Sequence, residues 1–337
     1  MSRRVLAFVA LVIICAVVAV GYAVVAAQRA ESARAALGVS AASPETLKAL
    51  GAEPHMLFLQ TQGDAYRRLG IAPLEPDQSA AVLTSLQCQR VHFAAGRGLC
   101  VGENPYGGAF IFDSDFKQRV TLPANGLPSR ARVSADGAHG AMTVFVQGHS
   151  YAEGGFSTAT TLVDMANGGI IGNLEEFGIY KDGQRLEAPD FNFWGVTFEP
   201  DSNRFYATLS TGGIIYLIEG DITAKQAQVL RDNVECPSIS PDGTRLAFKK
   251  RVSNAPGAVV WRLHTLDLTT GAETALAELR NVDDQVEWLD DETIVYYLLD
   301  QGPPATIRPD IWSVSADGTG LPHLLRTGAI SPAVVRS

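Results

Sequence analysis

Along most of the chain, short apolar runs follow small or polar lead-in segments, and tight turns separate the two. Residues 234–249 show the pattern best, with two short strands around the turn Pro241-Asp242-Gly243. The Asp-Gly pair favours a tight hairpin, because glycine readily takes the positive φ that such a turn needs. The segment is therefore predicted to form an antiparallel β-hairpin.

This hairpin pattern recurs at intervals of roughly 40–60 residues, a spacing typical of propellers and solenoids. The other copies are residues 89–102, 130–146, 195–209 and 285–298. A second pair of short strands follows, as in residues 263–276 with their turn at Thr270-Gly271. Four antiparallel strands per repeat predict the blade of an all-β propeller.

The two ends of the repeat region are incomplete in complementary ways. Residues 56–61, 66–73 and 80–86 read as three strands without a leading one, and residues 329–335 read as a leading strand with nothing after it. Pairing the C-terminal strand with the N-terminal three closes the ring and leaves no exposed edge. The sequence thus predicts six blades; an open solenoid, the alternative, would leave both fragments unpaired.

The best-formed hairpin carries a family resemblance. Ser240-Pro241-Asp242-Gly243 and the strand that follows, Thr244-Arg245-Leu246-Ala247-Phe248, resemble the WD-like repeats of the C-terminal propeller of TolB and its relatives. The resemblance implies a TolB-like six-bladed β-propeller and a role in the bacterial cell envelope. The Tol–Pal partnership is not expected, because the residues before the predicted propeller do not resemble the separate N-terminal domain of TolB.

An apolar segment opens the chain. Ser2-Arg3-Arg4 precedes an uncharged run over residues 5–27, long enough to cross a bilayer of about 30 Å. The basic residues favour a cytoplasmic N-terminus, so a single-pass signal anchor in the cell membrane is expected. A signal peptide cleaved among the small residues 23–27 is the alternative.

These observations predict three regions. Residues 1–27 are the transmembrane anchor or signal peptide, residues 28–53 a linker with a short helix beginning at Ser43-Pro44, and residues 54–337 the propeller on the extracytoplasmic side. The formal net charge is −9, and residues 1–27 contribute two Arg and no acid. The remainder therefore carries about −11, which disfavours nucleic acid as a partner.

Three cysteines follow the anchor, where an oxidising compartment would preserve disulfides. Cys88 and Cys100 flank one hairpin and are the expected pair. With the turn at Ala95-Gly96, however, Cys100 faces Val91, so the bond needs a bulge or a bend before the strand. Two buried thiols are the alternative, and Cys236 is predicted to be a buried thiol.

Motifs of catalysis are mostly absent from the sequence. It contains no P-loop, no dinucleotide-binding glycine motif before a helix, no H-E-x-x-H and no C-x-x-C. The six histidines are scattered without metal-ligand spacing. A non-enzymatic binding or scaffold protein of the envelope is therefore favoured.

Long connections in the predicted propeller suggest a binding surface. Residues 147–156, 188–194 and 281–284 join second to third strands or one blade to the next, and such connections lie at one end of the ring. This surface is predicted to bind a protein, peptide or glycan, unless the aromatic residues only pack the long loop onto the ring. Its candidate residues are His149, Tyr151, Asp190, Asn192, Trp194, Asp283 and Asp284.

The alternative function is a metal-dependent hydrolase with its site at the channel mouth. Calcium takes 6–8 oxygen ligands, and no other cofactor is expected. The side chains that supply such oxygens are Asp190, Asn192, Asp283, Asp284 and Glu287. Convergence of at least three of them on one point would favour this function.

Overall fold

The computed structural model describes Gly21 and residues 39–74, 81–102, 108–146, 157–255, 258–299 and 308–336. These residues form six β-sheets arranged as the blades of a propeller, as predicted. The predicted anchor, apart from Gly21, and the loop with His149 and Tyr151 lie outside the described residues. Within the described ranges, no helix is long and apolar enough to span a membrane.

In every blade, the strands pair in order from the central channel to the outer edge. Blade 1 contains, in this order, β27 (Ala329–Val335), β2 (His55–Gln60), β3 (Arg68–Pro73), β4 (Ala81–Gln87) and β1 (Val39–Ala41). Blade 2 contains β5 (Arg90–Ala94), β6 (Arg97–Val101), β7 (Ala109–Asp113) and β8 (Gln118–Leu122). Blade 3 contains β9 (Leu127–Val133), β10 (His139–Val146), β11 (Ser157–Asp164) and β12 (Ile170–Asn173).

The remaining blades follow the same order. Blade 4 contains β15 (Asn192–Phe198), β16 (Arg204–Thr211), β17 (Ile214–Asp221), β18 (Gln226–Asp232), β13 (Gly178–Lys181) and β14 (Gln184–Leu186). Blade 5 contains β19 (Glu235–Ile239), β20 (Arg245–Ala255), β21 (Ala258–Asp267) and β22 (Glu273–Ala275). Blade 6 contains β23 (Glu287–Trp288), β24 (Thr293–Leu299), β25 (Pro309–Ser315) and β26 (His323–Arg326).

The ring is closed by the pairing of the C-terminal strand with the first N-terminal blade strand. β27 lies antiparallel to β2, with Val335 opposite His55 and Ala329 opposite Gln60. Every residue of both strands is buried. Ser331 also accepts a hydrogen bond from the backbone N–H of Val91 at 3.1 Å, which ties blade 1 to blade 2. The predicted closure is therefore confirmed.

Two blades carry more than the four strands predicted. In blade 4, β13 runs parallel to β18 and pairs with β14, so a hairpin covers the outer edge. In blade 1, β1 runs parallel to β4 although residues 39–41 fall in the predicted linker. Both additions cover strand edges that would otherwise offer unpaired N–H and C=O groups.

The short helix α1 (Pro44–Gly51) begins as predicted. The Ser43 hydroxyl accepts from the N–H of Thr46 at 3.2 Å, and Pro44 occupies the first turn, where it needs no hydrogen-bond partner. Leu47 and Leu50 pack against the core shared by blades 1 and 2. Two 3₁₀ turns, Gly63–Ala65 and Leu174–Glu176, lie within the propeller.

The predicted disulfide between Cys88 and Cys100 is present. Cys100 lies opposite Val91, as the turn position requires. Cys88 still reaches it because the chain bends at residue 89 before β5 begins, which brings the two Cα atoms to 5.5 Å. Cys236 is a buried free thiol.

Removing residues 331–337 should destabilise the whole ring, because the truncation strips β2 of its partner. Val334 and Val335 alone bury two branched side chains worth about 1.5–3 kcal/mol each. We expect the melting temperature of the truncated chain to lie well below that of a control chain that ends after Val335. Equal melting temperatures for the two chains would contradict closure by this strand.

Candidate functional site

The two ends of the ring differ in the connections they carry. The first strands β27, β5, β9, β15, β19 and β23 contact one another in sequence around the central channel. We call the end where these strands start the loop face, because it carries the second-to-third-strand and blade-to-blade connections. The opposite end, with the hairpin turns at Ala95-Gly96 and Pro241-Asp242-Gly243, is the turn face.

A buried ion pair seals the channel between the two faces. Arg132 of β9 pairs with Glu287 of β23, whose Oε2 also lies 3.1 Å from Nε2 of His92 in β5. Nδ1 of His92 accepts the N–H of Val133, so its proton sits on Nε2 and points at Glu287. We call these three residues, each less than 10% exposed, the channel plug.

The plug is electrostatically fixed. Burial alone would raise the pKa of Glu287, but Arg132 and the His92 hydrogen bond outweigh it and lower the pKa to about 2. Burial and the Arg132 charge lower the pKa of His92, so this ring is neutral at pH 7. Above the plug, the channel encloses only about 20 Å³, close to the space of one water molecule. The channel is therefore too narrow at this point for a small molecule to pass from one face to the other.

At the loop-face mouth, a cation bridges two acids, one at the start of β19 and one in the connection from blade 5 to blade 6. Nζ of Lys249 lies 3.1 Å from Glu235 and also contacts Asp283. Arg130 approaches Asp283 at 4.0 Å. Lys249 and Glu235 are buried, whereas the Asp283 side chain is 58% exposed. We call Arg130, Glu235, Lys249 and Asp283 the mouth cluster.

An aromatic ring completes the mouth. Trp261 donates its indole N–H to Glu235 at 2.8 Å, and Nζ of Lys249 lies 4.5 Å from the ring centre. Arg251 donates to the same Glu235 oxygen at 3.1 Å. Glu235 thus anchors two cations and an indole, which leaves Asp283 as the exposed carboxylate of the mouth cluster.

Two of the predicted site residues lie at this mouth. Asp283 belongs to the mouth cluster, and the neighbouring Asp284 turns into the channel, where only 4% of it is exposed. Burial raises the pKa of Asp284 to about 6, against the opposing charges of Arg130 and Arg90. Its Oδ2 accepts the N–H of Tyr297 at 3.3 Å.

The remaining described candidates lie between blades 3, 4 and 5. Asp190 caps the β16–β17 connection by accepting from Thr211 and Gly212. Asn192 is buried and accepts from the N–H of Thr158 at 2.9 Å. These two side chains therefore hold connections of the ring in place.

Trp194 does not line the loop-face surface as predicted, because it is only 5% exposed and packs with Ile215 and Cys236. It lies in β15, a strand in which every residue is buried. A Trp194→Ala substitution would thus remove packing rather than contact area. The binding role of the other candidate residues stays a prediction.

The calcium-ligand hypothesis required convergent oxygens, and the described residues show another arrangement. Asp190 accepts hydrogen bonds from a neighbouring loop, and Asn192 and Asp284 each accept one from a backbone N–H. Asp283 pairs with Lys249, and Glu287 pairs with Arg132. Among the described residues, no group of three or more His, Cys, Asp or Glu side chains is placed to hold a metal.

Of the channel plug, only Glu287 was among the residues predicted to form a site, and of the mouth cluster only Asp283, although the sequence carries a signal for some of the others. Arg90 and His92, like Arg130 and Arg132, lie two positions apart in first strands. Side chains at that spacing point to the same side of a strand, here the channel. Charged residues repeated in the innermost strands therefore indicate an ionic channel.

Comparison with known proteins identifies the fold. TolB from Acinetobacter baumannii is similar over 84% of this chain and 67% of its own, with a TM-score of 0.58 and 15% identity. A putative TolB from Agrobacterium tumefaciens covers 82% of this chain and 89% of its own, with a TM-score of 0.51 and 12% identity.

A chain of the nidogen/laminin complex is also similar, over 83% of this chain and 98% of its own, with a TM-score of 0.56 and 12% identity. No protein-family model and no curated protein matches the sequence. At these identities, the likeness shows a TolB-like six-bladed propeller fold and no activity.

The contributions of Asp283 and Asp284 to the stability of the fold should change in opposite directions with pH. The raised pKa of Asp284 means that its protonated form stabilises the fold below the ordinary value of 3.8, and that this stabilisation is lost as pH rises through about 6. Asp284→Asn should therefore gain stability relative to wild type between pH 4 and 8, by up to about 3 kcal/mol.

Asp283→Asn is the matched control. The pKa of Asp283 is lowered because the neighbouring charges of Lys249 and Arg130 outweigh its partial loss of solvent, so its stabilisation is present above 3.8 and is lost as pH falls through the lowered pKa. This variant should be less stable than wild type at about pH 7, and the difference should shrink as pH falls below the ordinary carboxyl pKa of 3.8. Urea unfolding across pH measures both, and parallel curves for the two variants would contradict the assignment.

Proposed function

We propose that the protein is a non-enzymatic binding or scaffold protein of the cell envelope, and that its loop face recognises a protein partner. The observation that carries this proposal is the distribution of exposed apolar side chains. Of the large hydrophobic residues exposed in the described chain, most lie on the loop face: Tyr66, Leu127, Phe145, Ile214, Val252, Leu279 and Leu299.

The exposure of these side chains is substantial. Leu279 is 74% exposed, Leu127 58%, Val252 53% and Leu299 51%. By contrast, the turn face carries Ile170, Leu321 and Leu324 near its outer rim. Exposed apolar groups collected on one face favour a surface that another molecule covers.

The mouth cluster adds polar recognition at the centre of this face. The exposed carboxylate of Asp283 is held by Lys249 and Arg130, so it is oriented before a partner arrives. In such an interface, the polar group fixes how the partner is oriented, and the apolar contacts supply affinity.

A protein partner fits the loop face better than a peptide or a glycan does. The exposed groups are mainly aliphatic and lie at the ends of blades 1, 3, 4, 5 and 6. Such spacing suits a broad protein surface more than a small sugar or a short peptide. The nidogen/laminin complex contains a chain of the same fold, which is consistent with this use.

The proposal includes the orientation of the molecule. The chain reaches β2 at His55, which lies opposite Val335 at the turn face. An apolar anchor at residues 5–27 would thus attach near the turn face, on the extracytoplasmic side of the membrane, and the loop face would point away from it. The propeller is then available to partners in the envelope.

The test compares capture of envelope proteins by two triple variants. Leu127→Ser, Val252→Ser and Leu299→Ser together should reduce capture more than about tenfold, because each buried aliphatic group is worth about 1.5–3 kcal/mol. Ile170→Ser, Leu321→Ser and Leu324→Ser form the matched turn-face control and should leave capture unchanged. Mass spectrometry of affinity-purified full-length protein gives the measurement.

Two results would reject the proposal. One is equal capture by wild type and the loop-face variant, with both folded by circular dichroism. The other is a loss confined to the turn-face control.

A further inference from the structure

A cavity of the described chain lies at the turn face, on the opposite side of the ring from the loop face. It has a volume of about 500 Å³, within the range of about 300–1,000 Å³ typical of small-molecule sites. The cavity occupies the turn-face end of the channel, and the channel plug forms its floor. It is therefore closed towards the loop face.

The wall of this cavity is mainly apolar, with Thr197 and Ser240 as its uncharged polar members, and comes from the ends of the first strands. Five blades contribute to it, so its shape depends on the closed ring. The main wall residues are Phe93, Val133, Phe198, Pro200, Ile239 and Val334. Such a wall suits the apolar body of a ligand.

The lining of the cavity carries more positive than negative charge. Arg132 and Glu287 neutralise each other in the channel plug, and His92 is neutral. Arg336, which also lines the cavity, is exposed and donates to the backbone carbonyl of Trp288. A carbonyl is a neutral acceptor, so this contact positions the guanidinium without cancelling its charge. Glu287 is the carboxylate of the lining that interacts with Arg336, and it is already paired with Arg132.

The carboxylates of the surrounding turns do not cancel this charge inside the cavity. Asp136 accepts from Ser134 and from the N–H of Ala138, and Asp242 accepts from Ser240 and Thr244. Each is thus directed into its own turn. Within the lining, Arg336 is the group that selects the charge of a ligand.

We infer that this cavity is a second binding site, for a small organic carboxylate whose apolar body packs on the wall and whose carboxylate pairs with Arg336. An arginine binds a carboxylate through two parallel hydrogen bonds, which fixes the orientation of the ligand. The site is separated from the loop face by the channel plug, so it can be occupied independently of a protein partner.

Calorimetric titration of full-length protein in lipid nanodiscs tests this inference. The probe is 2-naphthylacetate, and its comparators are 2-naphthylacetamide and 2-(2-naphthyl)ethylammonium, which keep the ring and remove or reverse the charge. We expect the carboxylate to bind at least about tenfold more tightly than either comparator, since only the carboxylate forms charge-assisted hydrogen bonds with Arg336.

Three variants locate the bound probe. Arg336→Gln should weaken binding about tenfold or more, and Ala135→Phe, at an exposed position of the lining, should abolish it by filling the mouth. Arg185→Gln, on the outer hairpin of blade 4, is the matched control and should bind as wild type does.

Absence of binding to wild type overturns the inference, as does equal binding of the acid and its amide. Unchanged affinity in both Arg336→Gln and Ala135→Phe also overturns it. Tighter binding of the ammonium comparator would show that the turn carboxylates control the cavity, and would likewise reject it. The loop-face triple variant should bind the probe normally, which keeps this result independent of partner recognition.

Discussion

The pairing of β27 with β2 is the constraint on which the rest of this structure depends. It joins residues from opposite ends of the chain, and it converts a row of blades into a ring whose first strands surround one channel. An antiparallel sheet with two free edges would be open to further pairing, whereas a closed ring leaves no such edge between its ends. Both proposed sites exist only because the ring closes.

Closure of the ring also brings together buried charged side chains that need each other as partners. Arg132 and Glu287 are 155 positions apart, and His92 and Glu287 are 195 apart, yet all three meet in the channel. A buried charge without a partner is strongly unfavourable, so the three blades that carry the channel plug must keep their relative positions. The plug therefore divides the channel into an upper mouth with ionic groups and a lower cavity with an apolar wall.

The sequence was sufficient to predict what depends on local pattern. The turn residues located the hairpins, and the half-repeats at the two ends predicted closure by residues 329–335. The Cys88–Cys100 pair followed from its place around one hairpin. Ser43 and Pro44 marked the start of α1, because capping depends on a few neighbouring residues.

What the sequence did not predict depends on distant contacts. Trp194 resembled a recognition residue, but its place in a wholly buried strand makes it part of the packing between blades. Lys249 and Glu235 meet Asp283 only when blade 5 is docked beside the connection to blade 6. The cavity at the turn face needs wall residues from five blades, and no short stretch of sequence reveals such a site.

The most direct test of the central claim, recognition at the loop face, is site-specific photo-crosslinking of the full-length protein in cells. A photoreactive residue at position 252 or 299 should yield a discrete crosslinked protein, and the same residue at position 170 or 321 should not. Crosslinks from the turn-face positions alone, or none from either loop-face position, would contradict recognition at the loop face.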